Sequence, residues 1–280
     1  MSLVTSYEML KDAQENHYAI GAFNVENMEM AQAVVAAAEA QNAPVMIQTT
    51  PGTLKYARPD IYSGIVKNLA MKAKVPVCLH LDHGESYDLA VKCLMAGYTS
   101  VMIDGSKLPF EENIEVSKRV VALAGVLGIP VEAELGKVGG KEDELQVADQ
   151  AYTNPSTAAE FVERTGIQSL AVAIGTAHGV YKEKPVLDVE RLKEIRKVVD
   201  IPLVLHGASG LTSEQVQSCI AEGICKVNFA TELRIAYTNG VKEALEEGPI
   251  DPKIYGKAGR KAVQELVEKW MQLCGASGRG

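Results

Sequence analysis

Hydrophobic and polar positions follow two alternating rhythms along this chain. Short apolar, β-rich runs lie at Ala19–Val25, Pro44–Thr50, Val75–His83, Ser100–Gly105, Pro130–Gly136, Ser169–Gly175, Pro202–Gly207 and Lys226–Thr231. Each is followed by a stretch in which apolar residues recur every three or four positions, the spacing of one helix face. MEMAQAVVAAAEAQN, ENIEVSKRVVALAGVLG, PSTAAEFVERTG and TSEQVQSCIAEG show it most clearly, and each ends near Gly or Asn, as helices do. Runs that are apolar at nearly every position are strands buried on both faces, the habit of parallel sheets. Four of them open with Pro at or just before the first residue, where no ladder N–H is missed.

Eight strand-then-helix units, with starts about 24 to 39 residues apart, predict an α/β fold of the (β/α)8 TIM-barrel type. An open doubly wound sheet is the alternative topology. No Pro/Gly/Ser linker interrupts the chain, so residues 1–280 read as one domain. Two features break the rhythm. The fifth unit carries the insertion GKVGGKEDELQVADQAYTNP, which reads as a mobile active-site loop. Beyond the eighth run, Glu232–Leu245 and Gly259–Cys274 read as extra C-terminal helices, followed by a GASGRG tail expected to fray.

Composition narrows the classes. At 280 residues and 47% hydrophobic, the chain is neither disordered nor a small stapled domain. Its 28 basic against 36 acidic residues give a formal charge of -8, without the basic field that a nucleic-acid partner requires. Five cysteines with no CxxC pair fit a reduced cytoplasm, and Cys78, Cys219 and Cys225 sit in apolar patterns as core residues. No run reaches the ~18–20 apolar residues of a membrane span, and the start lacks the basic and apolar blocks of a signal peptide.

In a (β/α)8 barrel the chemistry gathers at the C-terminal strand ends. Here those ends read Asn24, Thr49, Thr50, Asp82, His83, Asp104, Glu134, Gly175 through His178, His206, Gly207 and Asn228 to Thr231. Three of the five histidines, His83, His178 and His206, fall at the third, sixth and seventh ends. One such histidine would be an ordinary hydrogen-bonded polar residue. Three converging imidazoles would each cost roughly 1–3 kcal/mol unpaired, whereas a single divalent ion satisfies them together. Zn2+ suits this set, with other first-row divalent ions as alternatives. Asp104 and Glu134 either orient these imidazoles from behind or ligate in their place. His80 reads as a barrel-interior side chain and His17 as solvated.

HGASG (His206–Gly210) and NFAT (Asn228–Thr231) follow the seventh and eighth strands, where backbone N–H groups of such barrels converge on phosphate. Gly179, after His178, allows a further close backbone approach. A Schiff-base mechanism needs a lysine in the mouth. The sixth run has none, Lys226 stands at the opening end of the eighth, and Lys137 is on the long loop. Carbonyl chemistry would therefore need a metal as its electron sink.

With LHLDHG, SVMIDGS, VEAELGKVGGKED, AVAIGTAHGVY, PLVLHGASG and KVNFAT in order along nearly its whole length, the chain resembles the class II, zinc-dependent ketose-bisphosphate aldolases. AIGTAHG and NFATEL, with Ala230 where fructose-bisphosphate enzymes carry Asp or Asn, bring it nearest to the branch acting on D-tagatose 1,6-bisphosphate. Fructose 1,6-bisphosphate is the alternative substrate, and a non-catalytic sugar-phosphate-binding barrel the alternative of another class. The resemblance implies that His83, His178 and His206 bind Zn2+. It makes Asp82 the carrier of the C4 hydroxyl proton and Glu142 the carrier of the C1 proton of dihydroxyacetone phosphate. Gly179, Gly207, Ala208, Ser209, Asn228, Phe229, Ala230 and Thr231 would hold the ketose phosphate, with a monovalent cation (Na+ or K+) beside it, and Asn24 a substrate hydroxyl. It leaves Arg234, Lys257, Arg260 or a neighbouring subunit for the distal phosphate. It further implies a homodimer or homotetramer and, in some members, a non-catalytic partner subunit.

Overall fold

The computed structural model describes residues 2–142, 145–147, 152–179 and 185–280. In chain order its strands are β1 (Ile20–Asn24), β2 (Val45–Thr49), β3 (Val77–Gly84), β4 (Ser100–Ile103), β5 (Val131–Leu135), β6 (Gly139–Glu142), β7 (Leu145–Val147), β8 (Ser169–Val172), β9 (Ala177–His178), β10 (Leu203–Leu205) and β11 (Ile224–Phe229). Eight of these close into a parallel barrel in the order β1, β11, β10, β8, β5, β4, β3, β2. All eight predicted runs are barrel strands, so the closed (β/α)8 barrel holds and the open sheet does not.

Pro44, Pro76, Pro130 and Pro202 directly precede β2, β3, β5 and β10. Three of their carbonyls accept a hydrogen bond from the next strand, Val45 N to Pro76, Val101 N to Pro130 and Leu170 N to Pro202. A proline thus starts a strand without costing the ladder a donor.

The helices are α1 (Ser6–Glu15), α2 (Met28–Gln41), α3 (Pro51–Tyr56), α4 (Pro59–Ala70), α5 (Tyr87–Ala96), α6 (Phe110–Val126), α7 (Pro155–Thr165), α8 (Val189–Val198), α9 (Ser213–Ala221), α10 (Thr231–Leu245) and α11 (Pro252–Leu273). Side-chain caps from Asn27, Ser86, Asn154, Asp188, Thr212 and Asp251 start α2, α5, α7, α8, α9 and α11. Among the described residues, no helix is long and apolar enough to cross a membrane.

Three expectations change. The segment 136–155 is not simply a loop: β6 and β7 pair antiparallel, and β6 also pairs with β9, with Gly140 opposite His178. Residues 143, 144 and 148–151 lie outside the described residues. The last helix starts at Pro252 rather than Gly259, because Asp251 caps it. The tail docks instead of fraying, for Ala276 is buried and the Gly278 and Gly280 amides donate to the carbonyls of Gln41 and Asn42.

The barrel interior is unusual for its class. Side chains alternate across a strand, and the mutual contacts of Asn24, Gln48, His80, Asp82, Ser100, Glu132, His206, Lys226 and Asn228 put all of them inside. Branched apolar residues usually fill that space. Here polar groups do, and at the mouth they form the site.

Candidate active site

The third barrel strand carries two adjacent functional residues, which a regular strand cannot aim at one place. Leu81 pairs with Val101 but Gly84 with Ile103, so β3 holds one residue more than β4 between these pairs. His83 takes up the extra residue in the left-handed region, at φ 47°. This bulge re-aims the chain, as bulges beside active sites do. Asp82 therefore points into the barrel with His80, and His83 also turns into the mouth, its ring centroid 4.6 Å from that of His206 and 4.9 Å from that of His178. Gly84 allows the bend, since a Cβ there would lie 2.2 Å from the Met102 carbonyl oxygen.

His206 is the first residue beyond β10. His178 stands six residues past the end of β8, on β9, so the sixth barrel strand itself does not carry it, contrary to expectation. What holds β9 in place is β6. Gly207 lets the chain pass beneath it: φ is +66°, and a Cβ would come within 2.6 Å of the Ala177 carbonyl oxygen. One ligand-capable nitrogen from each of His83, His178 and His206 lies within 4.8 Å of the others.

Carboxylates orient the rings. Asp104 Oδ2 lies 2.9 Å from His83 Nδ1, and its Oδ1 accepts from the Ser106 amide at 3.0 Å. Burial works against the Asp104 carboxylate, but His83 and Ser106 outweigh it and hold its pKa well below the usual range. Asp104 thus stands behind His83. Glu134 Oε2 lies 3.1 Å from His206 Nδ1, and an oxygen of Glu134 also falls in a second group with His83 and Asp104. On its other nitrogen, Nε2, His206 meets Glu132 at 3.0 Å. Burial and the neighbouring His83 push His206 down, yet these two carboxylates win and raise it to about 9. His206 Nδ1 and Glu134 Oε2 are both buried and, apart from each other at 3.1 Å, have no hydrogen-bond partner among the described residues. A buried imidazole nitrogen and carboxylate oxygen that meet only each other, facing two more imidazoles, fit a site where a metal ion would be held by both.

Asp82 is fully buried beside this centre, its Oδ1 3.9 Å from His83 Nε2. Asn24 Nδ2 and Gln48 Nε2 donate to its Oδ2 at 2.9 and 3.3 Å, and Asn228 Nδ2 donates to its Oδ1 at 3.0 Å. Three amides from three strands fix a carboxylate that has no cationic partner among these contacts. Gln48 was not singled out from the sequence, although it lies two residues before Thr50 on a strand whose end was. Thr49 and Thr50 serve the scaffold: Thr49 bonds to the Tyr98 hydroxyl and Thr50 caps α3.

Next to the imidazoles an open cleft of about 360 Å3 is lined by Asn24, His178, Gly179, Gly207, Ser209, Asn228, Ala230, Thr231 and Arg234. The first turn of α10 borders it through Ala230, Thr231 and Arg234, and that helix has no side-chain cap at Ala230. Ala208 is buried behind it. Phe229 keeps its ring in the core, 5.5 Å from Phe23 and 4.3 Å from Trp270, so it offers a ligand only its backbone, the part expected to bind. Of the basic candidates Arg234 lines the cleft, paired with Glu26 at 2.7 Å, whereas Lys257 and Arg260 do not; Arg260 bonds to Gln32. The backbone of Glu142 ends β6, and its side chain lies outside the described residues.

Lys226 corrects the sequence reading. It is the third residue of β11, not the opening one, and is wholly buried inside the barrel. Its Nζ lies 2.9 and 3.0 Å from the two oxygens of Glu132. Glu132 was missed too, although its i, i+2 spacing from Glu134 puts both on one strand face.

A closed barrel with three imidazoles, flanking carboxylates and an open cleft at its mouth defines a (β/α)8 scaffold whose residues could hold a metal ion. The family model of class-II fructose-bisphosphate aldolase matches residues 4–279. The YdjI aldolase from Escherichia coli K12 is similar at 41% identity and TM-score 0.90, covering 99% of each chain. A putative fructose-1,6-bisphosphate aldolase from Coccidioides immitis matches at 33% identity and TM-score 0.88 over 97% of this chain and 96% of its own. The fructose-bisphosphate aldolase of Campylobacter jejuni, at 23% identity and TM-score 0.85 over 100% and 97%, shares the fold. The chain belongs to the class II fructose-bisphosphate aldolase family.

Proposed function

We propose that this chain is a zinc-dependent aldolase that reversibly cleaves D-tagatose 1,6-bisphosphate to dihydroxyacetone phosphate and D-glyceraldehyde 3-phosphate. The observation that carries the reading is the buried Asp82 carboxylate, held by three amides within 4 Å of the His83 nitrogen that faces the other imidazoles. His83, His178 and His206 would hold Zn2+, with Glu134 within reach as a further ligand. Bound there, the ion supplies a Lewis acid for the C2 carbonyl.

The chain's own residues do the rest. Asp82 accepts the C4 hydroxyl proton as the C3–C4 bond breaks and returns it to the aldehyde oxygen in condensation. Its three amide donors keep it aimed. Glu142, on the β6–β7 hairpin, exchanges the C1 proton of dihydroxyacetone phosphate, completing the site from the insertion. Gly179, Gly207, Ser209 and the uncapped first turn of α10 bind the ketose phosphate through backbone N–H groups, with a Na+ or K+ ion beside them. Asn24 binds a substrate hydroxyl and Arg234 the distal phosphate.

A cytoplasmic enzyme of one catalytic domain over residues 1–280, working as a homodimer or homotetramer and with a non-catalytic subunit as a further partner, completes the proposal. Fructose 1,6-bisphosphate is the second reading, favoured by the description of the matching family. The two substrates differ only in configuration at C4, and Ala230 in the cleft leaves the room that a side-chain carboxylate or amide would fill. The expected kcat/KM is higher for tagatose 1,6-bisphosphate, and a clear preference for the fructose epimer overturns the finer assignment.

A further inference from the structure

Directly below the imidazoles, away from the cleft, a chain of buried polar groups crosses the barrel, and the chemistry proposed above uses only its His206 end. Glu132 Oε1 accepts from His206 Nε2 at 3.0 Å. Lys226 Nζ donates to Glu132 Oε1 and Oε2 at 3.0 and 2.9 Å and reaches His80 Nε2 at 3.4 Å. His80 Nδ1 in turn lies 2.8 Å from Ser100 Oγ, which is 2.9 Å from Ser6 Oγ on α1. All of these residues are 0–2% exposed.

The donors and acceptors fix one another. Lys226 has only donors, so His80 Nε2 accepts and His80 Nδ1–H points at Ser100. Glu132 has only acceptors, so a His206 ring that carries a single proton keeps it on Nε2 and presents the Nδ1 lone pair to the site, next to His83 and His178. A buried ion pair gives little net stability, because desolvating two charges offsets their attraction, and branched apolar side chains could fill this layer as they do in other barrels. What the apolar alternative lacks is a means of setting the tautomer and pitch of His206.

We infer that Glu132, braced by Lys226 and His80, is a positioning residue that presets His206 as an Nδ1 metal ligand. The inference rests on the zinc-site reading above. Partners behind a ligating histidine typically change metal affinity by about 10- to 100-fold when removed.

The test uses the full chain as Glu132→Gln, Lys226→Met and the charge-neutral double variant of similar volume. Zinc affinity is measured by chelator competition, the visible spectrum on the Co2+-loaded protein, and Tm on the metal-free protein. Glu132→Gln should weaken zinc binding at least about 10-fold and shift the Co2+ bands. The double variant should regain most of the Tm lost by the single variants while its zinc affinity stays weak. Wild-type affinity and an unchanged Co2+ spectrum in the double variant would make the network purely structural and overturn the inference.

A measurement on the unmodified protein stands apart from any folding defect. In the zinc-loaded wild type, histidine nitrogen NMR should show His206 protonated at Nε2, and a proton on Nδ1 contradicts the assignment. Should the wild type bind no zinc at all, the zinc-site reading falls and this inference with it; wild-type binding matched by Glu132→Gln removes only the inference.

Discussion

Asp82 and His206 sit in one buried polar cluster, yet their geometries predict opposite failures. Asp82 is anchored by amides and lies beside the imidazoles, so Asp82→Ala should keep its metal and lose about 10²- to 10⁴-fold in kcat. His206→Ala should lose the metal itself. Metal analysis and turnover on the same samples separate the two, and a near-normal kcat in Asp82→Ala would show that the proton carrier is another group. The three histidines were legible in the sequence because each follows an apolar run. Asp82 stood out as a proton carrier only through the family motif LDHG. Gln48, Glu132 and Lys226 were hidden because they lie within apolar runs, where one polar residue looks like noise until the opposite strand supplies its partner. Cysteines were legible for the converse reason: all five are buried, and desolvation raises Cys78 and Cys274 to about 12, far from nucleophilic use.

Strands were easier to foresee than the segments that join them. Each barrel strand is buried on both faces and flagged by its apolar run, and four are announced by a proline. The bulge in β3 left no trace in the pattern, since it arises from the pairing of β3 with β4 and a left-handed His83, and Gly84, which allows the bend, reads as an ordinary strand-end glycine. The β6–β9 ladder was hidden likewise, because β9 is only two residues long and its pairing partner is an insertion nearly forty residues earlier. The C-terminal tail is the clearest misreading. Its glycines looked like an unstructured end, but their amides complete α2 and Ala276 seals the core beneath. Deleting residues 275–280 should therefore destabilise the fold by about 1–3 kcal/mol, a fall of several degrees in Tm, while leaving kcat near normal. An unchanged Tm would mean that the tail frays after all.

Across the whole molecule, a net charge of -8 is compatible with the proposed phosphate site, because a bound metal ion and helix N–H groups would make the mouth locally electropositive. The closed barrel gathers at that mouth residues as distant in sequence as Asn24 and Asn228, and the same closure buries the polar chain that runs from α1 to His206. Composition left room for one large core, and the strand count foretold closure. Neither could reveal that the interior would be polar, since that depends on which face of each strand turns inward. The central claim is that this polar interior exists to hold a metal that carbonyl chemistry requires. Cleavage of tagatose 1,6-bisphosphate, followed by the dihydroxyacetone phosphate released from one sample before chelation with EDTA, after it, and after Zn2+ is restored, tests that claim most directly. The expected result is activity that disappears with the metal and returns with zinc; cleavage that continues undiminished in the metal-free protein would contradict it.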